Sequence, residues 1–485
     1  MNDLGGQTIF DLSSAGTEGV TVPQPQVPSP GASWRLPESN FRSSLPDWPE
    51  VSEIEVVRHY TRLSILNHHI DRNTYPLGSC TMKYNPKINE RAATKAGFAR
   101  LHPETPDADC QGALQLMWDL ARDLAAITGM DEICLQGSAG AQGEMAGLLM
   151  ARAYHRRHGE HRLRVIIPDS AHGTNPASVT LAGFESVAIR SDARGLVDPD
   201  ALAAVLDDSV ACIMLTNPNT LGLFERDIVR IAGMAHAKGA LLYNDGANTN
   251  ALLGLARAGD MGFDMLHLNL HKTFSTPHGG GGPAAAAIGA KRALAPFLPG
   301  PAVVKRGETG HEQFAREAPG PDSIGSIHPF VGNFGVLVRA YTYIRSLGAL
   351  GLAQVAQDAI LAANYLRARL ATEYDIPHPG PCLHEFVASA SRQKQHGVRA
   401  GAIAKRLLDF GVHSPTVYFP LIVPEALMIE PTETESQERL DAYAEAFLQI
   451  AREARHDPDL VNSAPHETPF LRIDEAKAAR ELDVG

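Results

Sequence analysis

The sequence lacks the features that mark several large classes of protein. Five cysteines are spread over 485 residues without a CxxC pair, which argues against a zinc site or a disulfide framework, so we expect no metal. Basic residues do not predominate either, since 43 lysines and arginines are set against 55 aspartates and glutamates. With no long block of one charge, nucleic acid and anionic membranes are poor candidate partners.

Long apolar runs and targeting signals are also missing. No stretch approaches the roughly 20 apolar residues that a helix needs to cross a bilayer, so no membrane segment is expected. The N-terminal MNDLGGQTIFDLSSAG has no basic start followed by an apolar core, and its acidic residues are untypical of a transit peptide. These absences together predict a cytoplasmic protein.

Apolar residues make up 44% of the chain, which is sufficient for two or three packed domains. From about residue 109, short apolar runs that end in polar residues or glycine alternate with helix-like segments. This pattern predicts an α/β fold with a mostly parallel sheet and helices on both faces. The predicted segments are a proline-rich extended arm with a polar motif (residues 1–108), a large ligand-binding domain (109–334), a smaller α+β domain (335–455) and a charged tail (456–485).

Candidate site residues follow the apolar runs, because ligands bind where the carboxyl ends of parallel strands meet. Ser138, Ala139 and Gly140 open a helix whose free N–H groups favour a phosphate. His172 follows the next run and could stack on a planar ring. A tight structural turn and an ordinary capped histidine remain alternative explanations of these two patterns.

Two charged residues complete the pattern. Asp245 ends a buried run, where a carboxylate is costly without a cationic partner, and the protonated nitrogen of a pyridine ring would be such a partner. Lys272 comes 27 residues later, after a further apolar run. A lysine held there can form a Schiff base with pyridoxal phosphate, although most lysines after a strand are plain surface charges. The order of phosphate loop, stacking ring, aspartate and lysine predicts a pyridoxal-phosphate enzyme.

The candidate residues lie within GSAGAQGE, DSAHGTNPAS, TNPNTLGLFE, NDGANTNALLG and DMLHLNLHKTFSTPHGGGGP, and GNFGVLVRAY follows them. An earlier stretch reads NHHIDRNTYPLGSCTMKYNPKINE. Together, from about residue 60 to 340, these stretches closely resemble the pyridoxal-phosphate subunit of the glycine decarboxylase P-protein family of the glycine cleavage system. The chain departs from the family at Ser326, Ile327 and His328, where basic residues are common, so family contacts to a channel or partner are in doubt there.

The resemblance implies fold type I of the pyridoxal-phosphate enzymes and an oxidoreductase reaction. Glycine is decarboxylated, CO2 is released, and the aminomethyl group passes to the lipoyl arm of H-protein. The resemblance places the cofactor covalently on Lys272, Asp245 at the ring nitrogen, His172 on the ring face, and Ser138, Ala139 and Gly140 at the phosphate. Second-rank cofactor residues are Thr216, Asn248, His271 and Thr276, and candidates for the glycine carboxylate or the lipoyl path are Asn67, His68, Thr81 and Lys83.

The family also exists as two separate subunits, and this chain is about half as long as the single-chain form and carries the lysine. The resemblance therefore implies subunit 2, paired with subunit 1 in a heterotetramer with two copies of each. Two alternatives stay open: another fold type I enzyme, such as an amino-acid decarboxylase, aminotransferase or cysteine desulfurase, and a noncatalytic assembly subunit. The presence of Lys272, Asp245 and His172 argues against the second. The glycines after Lys272 are expected to let the backbone pass close to the cofactor.

Overall fold

The computed structural model describes residues 7–21, 23, 26, 37–44, 46–279 and 284–481. The chain divides into two compact units, Met1–His69 with Pro465–Gly485, and Ile70–Ala464. The four segments predicted from the sequence have other boundaries than these two units, and they remain a prediction. Residues 22, 24, 25 and 27–36 of the proline-rich arm and three of the glycines after Lys272, at 280–282, lie outside the described residues.

The α-helices were numbered in chain order. They are α1 (Glu53–Leu66), α2 (Lys87–Ala93), α3 (Ala96–Ala99), α4 (Gln111–Thr128), α5 (Gly140–Arg157), α6 (Thr174–Leu181), α7 (Pro199–Val205), α8 (Ile228–Ala237), α9 (Leu270–Thr273), α10 (Phe334–Leu370), α11 (Ser391–Lys394), α12 (Ala400–Asp409), α13 (Gln437–His456), α14 (Pro458–Asn462) and α15 (Glu475–Arg480).

The strands follow the same convention. They are β1 (Glu132–Gly137), β2 (Arg164–Pro168), β3 (Glu185–Ile189), β4 (Val210–Thr216), β5 (Leu241–Gly246), β6 (Met265–Asn269), β7 (Ala286–Ala290), β8 (Ala302–Arg306), β9 (Gln313–Glu317), β10 (Phe386–Ser389), β11 (Thr416–Val417) and β12 (Ala426–Ile429).

The first unit contains α1 and α15. Ser52 caps α1, because its hydroxyl oxygen accepts the backbone N–H of Glu55 at 3.4 Å, and acidic residues in the first turn suit the positive end of the helix dipole. Asn67 ends the helix and donates its N–H to the Ser64 carbonyl at 3.3 Å.

The second unit is built on a seven-stranded sheet in the order β1-β7-β6-β5-β4-β2-β3. Neighbours from β6 to β3 are parallel, whereas β7 runs antiparallel to β1 and β6. The interior strand β4, VACIMLT, is buried at every position, as expected of a parallel strand covered on both faces. The predicted α/β class with a mostly parallel sheet is confirmed.

Successive side chains along a strand point to opposite faces of the sheet and belong to two different hydrophobic cores. Ile213 and Leu215 of β4 pack with side chains from α4, α8 and α10, whereas Met214 packs on the opposite face with side chains from α5 and α6. Each fully buried Leu, Ile or Met contributes about 1.5–3 kcal/mol relative to its exposed state. The period-two alternation of the strands therefore holds helices on both faces.

A smaller antiparallel sheet, in the order β10-β12-β11, forms the rest of the unit. Phe386 of β10 lies opposite Ile429 of β12. The residues just outside this pair, Glu385 and Glu430, are therefore neighbours. A third segment passes beside β12, since the N–H of Glu430 donates to the Pro76 carbonyl at 3.2 Å.

The long helix α10 is apolar enough, with a window of mean hydropathy 1.3, to cross a membrane by length and composition. By length and composition, therefore, the expectation that no segment of the chain could cross a membrane was wrong. One such helix is a weak indication, because core helices of soluble proteins pass the same test. The helix also breaks at Gly348, with φ 62° and ψ −176°, and its buried residues belong to two hydrophobic cores of the second unit.

Candidate active site

Three buried polar residues stand side by side at the carboxyl ends of adjacent parallel strands. Thr216 of β4 is in register with Asp245 of β5, and Asp245 is in register with His267 of β6. Lys272 follows directly in the short helix α9. Its charge acts on the pKa of both His172 and Asp245, so the structure brings the three predicted catalytic residues into one site.

Asp245 is a buried carboxylate held by three donors. It accepts the side-chain N–H of Asn175 at 2.9 Å and the backbone N–H of Ala247 at 3.0 Å, and Nε2 of His267 lies 3.3 Å from its Oδ1. Burial would raise the pKa of Asp245, but the His267 ring and these hydrogen bonds outweigh it and hold the pKa below its usual value. Asp245 is therefore ionised inside the protein.

His267 is itself held in place by a tyrosine. Its Nδ1 lies 2.8 Å from the hydroxyl of Tyr243, and that hydroxyl donates to the carbonyl of Gly143 at 3.1 Å. His267 therefore connects the Asp245 carboxylate to Tyr243 and, through that hydroxyl, to the first turn of α5 at Gly143.

A second network fixes the position of His172. Glu144 accepts the hydroxyl of Thr174 at 2.8 Å and the side-chain N–H of Asn175 at 3.1 Å. The backbone N–H of Thr174 donates to Nδ1 of His172 at 3.2 Å. Burial and the charge of Lys272 lower the pKa of His172, so the ring is neutral at pH 7 and carries its proton on Nε2.

The predicted phosphate loop lies between β1 and α5. Ala139 precedes the helix with extended backbone and no side-chain cap, so the N–H groups of the first turn have no acceptor within the helix. A Cβ on Gly140 would lie 2.5 Å from Nδ2 of Asn269, so only glycine lets this turn approach β6 so closely. Ser138 donates its N–H to Gln142 Oε1 at 2.7 Å.

The segment around Ile327, where the chain departs from the family, packs on this loop. The side chain of Gln142 donates to the Ile327 carbonyl at 2.6 Å, and the N–H of Ile327 donates to Gln136 Oε1 at 3.1 Å. Gln136 also donates to Ser326 and to the carbonyl of His328, both at 2.7 Å. These residues therefore support the phosphate loop through β1 and α5.

Lys272 is half-buried and donates to the Ser79 carbonyl at 2.7 Å. Two histidines flank it: His271 and His278 lie edge to face with ring centroids 4.9 Å apart. Burial, with the charges of His278 and Lys272, lowers the pKa of His271 to about 3, and burial and Lys272 lower that of His278 to about 4. The amine therefore sits among neutral rings.

The Ser79–Thr81 segment is held in an unusual conformation. Ser79 and Thr81 have φ of 60° and 48°, a region that costs about 1–2 kcal/mol per residue for side chains other than glycine. The N–H of Ser79 donates to Glu385 at 2.7 Å, and the N–H of Thr81 donates to Glu430 at 2.9 Å. These buried carboxylates offset the strain and fix the carbonyl that accepts Lys272.

Lys83 is not a surface charge. Its three N–H bonds go to Glu433 at 2.7 Å, Asn250 at 2.8 Å and the hydroxyl of Tyr343 at 3.1 Å. Burial opposes its charge, but Glu433 and Tyr343 raise the pKa of Lys83 above its usual value. Asn67 and His68 belong to the first unit, and their role stays a prediction.

The second-rank residues leave polar atoms open for a ligand. Buried oxygens of Thr216, Thr276 and Asn248 have no hydrogen-bond partner in the described part of the chain, and His271 is held by the Ala285 carbonyl at 3.3 Å. Buried polar atoms are normally paired. Together with the ionised Asp245, the helix start at Gly140 and the amine of Lys272, these open atoms fit the ring, phosphate and aldehyde of pyridoxal phosphate.

Several residues that shape the site were missed from the sequence. They are Glu144, Asn175, Tyr243, His267, Asn269, Ser79, Glu385 and Glu430. His267 had a usable signal, because a histidine inside the apolar run MLHLN is costly without a partner. The sequence signal for Glu385 and Glu430, which lie beside short strands, was weaker, because glutamates also occur at exposed strand ends.

The fold and the site together define a pyridoxal-phosphate-dependent enzyme of the aminotransferase class-V type. The family model described as "Aminotransferase class-V" matches residues 140–395, more than half of the chain. A second model, "Glycine dehydrogenase, C-terminal domain", matches residues 355–466.

Relatives match the chain over nearly its whole length. It is 56% identical over 474 residues to the "Probable glycine dehydrogenase (decarboxylating) subunit 2" of Halalkalibacterium halodurans, a match that covers 98% of this chain and 96% of that protein. It is 54% identical over 477 residues to the protein of the same name from Chlorobium chlorochromatii, with 98% of each covered. The chain therefore belongs to the glycine dehydrogenase (decarboxylating) subunit 2 family. This confirms the resemblance, and the name of these relatives implies a partner subunit.

Solved structures agree on the fold. Glycine decarboxylase (P-protein) of the glycine cleavage system, in inhibitor-bound form, aligns with a TM-score of 0.73 at 22% identity over 86% of this chain and 93% of that one. The sphingosine-1-phosphate lyase of Burkholderia pseudomallei aligns with a TM-score of 0.64 at 16% identity, over 86% and 94%. At such identities the likeness concerns the arrangement of strands and helices.

Proposed function

We propose that this chain is the cofactor-bearing subunit that decarboxylates glycine, releases CO2 and transfers the aminomethyl group to the lipoyl disulfide of H-protein. The observation that carries the proposal is the convergence of the Lys272 amine and the buried, ionised Asp245 at adjacent strand ends. The choice of glycine as the substrate rests on the family to which the chain belongs.

When bound, pyridoxal phosphate supplies a sink for the electron pair released as the carboxyl group leaves glycine. Lys272 would hold it covalently, and the Asp245 carboxylate would keep the ring nitrogen protonated. His172, positioned by Thr174, would cover the ring face. The residues Ser138, Ala139 and Gly140, at the start of α5, would bind the phosphate through backbone N–H groups, with Thr216, Asn248, His271 and Thr276 as further polar contacts.

Gly140→Ala should weaken cofactor binding by roughly tenfold or more, because the added methyl would displace the phosphate loop from Asn269. The measurement is an absorbance titration of the cofactor-free chain with pyridoxal phosphate. The matched control is Gly233→Ala in α8, where an added Cβ meets no atom within 4 Å. The control should keep the affinity of the wild type, and an equal loss in both variants would contradict the assignment of the loop.

On the substrate side, the roles of Thr81 and Lys83 rest on the resemblance alone. The Thr81 hydroxyl donates to Glu430 at 2.5 Å, and Lys83 is committed to its three acceptors. Direct contact with glycine or the lipoyl arm would need those bonds to break. Asn67 and His68 remain candidates of the same rank.

The proposed partners are subunit 1, with two copies of each subunit in the assembly, and lipoylated H-protein; the proposed compartment is the cytoplasm. The support is the name of the relatives and the 98% of the Chlorobium chlorochromatii protein that this chain spans. We expect glycine-dependent exchange of labelled bicarbonate only when this chain is combined with subunit 1 and H-protein. The control is each protein alone, and full exchange by the isolated chain would refute the division into subunits.

Other reactions of this fold have less support. The cysteine desulfurase of Escherichia coli aligns with a TM-score of 0.60 at 15% identity, but that reaction needs a reactive thiolate. Burial raises the pKa of Cys80 to about 11 and those of Cys134 and Cys382 to about 12. A noncatalytic assembly role is disfavoured by the complete set of Lys272, Asp245 and His172.

A further inference from the structure

Two buried carboxyl groups lie beside Lys272, and the roles described above use them only to hold the Ser79–Thr81 backbone. Glu385 and Glu430 come from the ends of β10 and β12, and both are fully buried. An oxygen of each lies within 4.8 Å of the other and of a ring nitrogen of His384. Polar side chains and backbone N–H groups bind them: Ser79 and Asn248 donate to Glu385, and Thr81 donates to Glu430.

His384 points into the same cluster without a hydrogen bond. Both of its ring nitrogens are buried and unpartnered in the described structure, and Nε2 lies 3.7 Å from Glu430. An ion pair between these atoms would require a charged His384 ring. Burial and the charge of Lys272 lower the pKa of His384 to about 3. The ring is neutral, and 3.7 Å is too long for a hydrogen bond. Buried polar nitrogens are normally paired, so two unpaired ring nitrogens beside two carboxyl groups single out this cluster for a functional explanation.

The charges around the pair favour one retained proton. Two carboxyl groups this close in a buried site cannot both ionise readily, so one pKa rises strongly. Burial and the charge of Glu430 raise the pKa of Glu385, and burial raises that of Glu430 to about 7 against the opposing effects of Thr81 and Lys272. The other titratable groups facing the pair are the Lys272 ammonium, the neutral His384 and the protonated thiol of Cys80.

The proposed reaction, on which this inference rests, consumes one proton. The electron pair of the broken C–C bond of glycine forms the new C–S bond, the S–S bond breaks, and the second sulfur leaves with its electron pair and takes up a proton. Neutral histidines cannot supply it without becoming imidazolates, and His172, His271, His278 and His384 all have lowered pKa values. The carboxyl pair, in contrast, includes a neutral acid whose pKa burial raises to about 7, so it can release a proton near neutral pH.

We infer that Glu385 and Glu430 share one proton beside Lys272 and that this pair supplies the proton taken up by the leaving sulfur. The pair acts as a proton store, and the Ser79–Thr81 segment connects it to Lys272. Ser79 donates to Glu385 through its N–H and accepts Lys272 through its carbonyl.

Infrared spectroscopy of the full chain, with and without cofactor, tests the shared proton. As the pH is raised, the wild type should show the carbonyl stretch of a protonated carboxylic acid that disappears near or above neutrality. Glu385→Gln and Glu430→Gln should each shift the frequency and the midpoint pH of this band, because both carboxyl groups hold the shared proton, and the double variant should remove it. A band whose frequency and midpoint are unchanged in either single variant, or that survives in the double variant, would overturn the inference.

The matched control is Glu435→Gln. Glu435 is also a glutamate whose pKa burial raises, and it accepts the hydroxyl of Thr74 at 3.1 Å, but it lies outside the group of residues that bind Ser79 and Thr81. This variant should keep the shared-proton band. Loss of the same band in Glu435→Gln would assign it to another residue and overturn the inference.

The pH dependence of CO2 release by the complex with subunit 1 and H-protein tests the use of the proton. The acid form is the active one, so the wild-type rate should fall as the pH rises above about 7. The two glutamine variants should be roughly 10²–10⁴-fold slower and should shift or lose this basic limb, whereas Glu435→Gln should keep both rate and limb. Slow variants that retain the wild-type limb would reduce the pair to a structural role.

Failure of the proposed function can be distinguished from failure of the shared proton. A wild-type complex that does not decarboxylate glycine would remove the sulfur as the destination of the proton and overturn that half of the inference. The infrared result does not depend on turnover, so it would still decide whether the pair shares a proton.

Discussion

Lys272→Ala should abolish covalent retention of pyridoxal phosphate and slow glycine decarboxylation by roughly 10²–10⁴-fold. The amine is half-buried directly after β6, among neutral histidines, and is oriented by the Ser79 carbonyl. The measurement is mass spectrometry of the denatured chain after reduction with borohydride, together with the absorption band of the bound cofactor.

Lys291→Ala is the matched control. Lys291 is also half-buried and also donates to a backbone carbonyl, that of Gly129, at 2.6 Å, but it follows β7, which runs antiparallel to β6. This variant should keep the covalent cofactor. A Lys272→Ala chain that carries the cofactor mass and an unchanged absorption band would disprove the assignment.

Asp245→Asn should lower the rate by about 10²–10³-fold with little change in the fold. The substitution keeps the shape of the side chain but removes the charge that a protonated ring nitrogen needs inside the protein. An Asn side chain would also direct an N–H₂ group toward one of the donors Asn175, Ala247 or His267. Since the pKa of Asp245 is held below its usual value, the defect should persist across the neutral range and not be restored by raising the pH.

The control for this variant is Asp264→Asn. Asp264 accepts the N–H of Leu242 at 2.8 Å at the opposite, amino-terminal end of the same strands. It should change stability modestly and leave the absorption spectrum of the bound cofactor unaltered. Equal losses of rate in both variants would mean that Asp245 acts only by supporting the sheet.

The sequence predicted the part of the site that the sheet itself creates. Lys272, Asp245, His172 and Ser138 follow apolar runs, and parallel strands bring their carboxyl ends to one edge whatever the loops do. Their chemical roles stay predictions, but their convergence could be derived from periodicity. The alternation of apolar and polar runs likewise fixed the fold class.

The remaining part depends on contacts between distant segments. Ser79 meets Glu385 across 306 residues, and Thr81 meets Glu430 across 349, and no local pattern encodes such pairs. Lys83 shows the same limit, because a single lysine in a polar motif resembles a surface charge until Glu433 is known to lie beside it. Burial of charged groups is decided by tertiary packing, which hydrophobic periodicity does not report.

The break in α10 at Gly348 has a consequence for how the second unit unfolds. The stretch after the break contributes Leu352, Val355 and Ala356 to the core beneath the large sheet, and Ala362 and Leu366 to the core beneath the small one. Unfolding of this helical stretch would remove side chains from both cores at the same time. The two cores should therefore lose their structure in a single cooperative step, with the slowest-exchanging amide protons of both centred on the same helix.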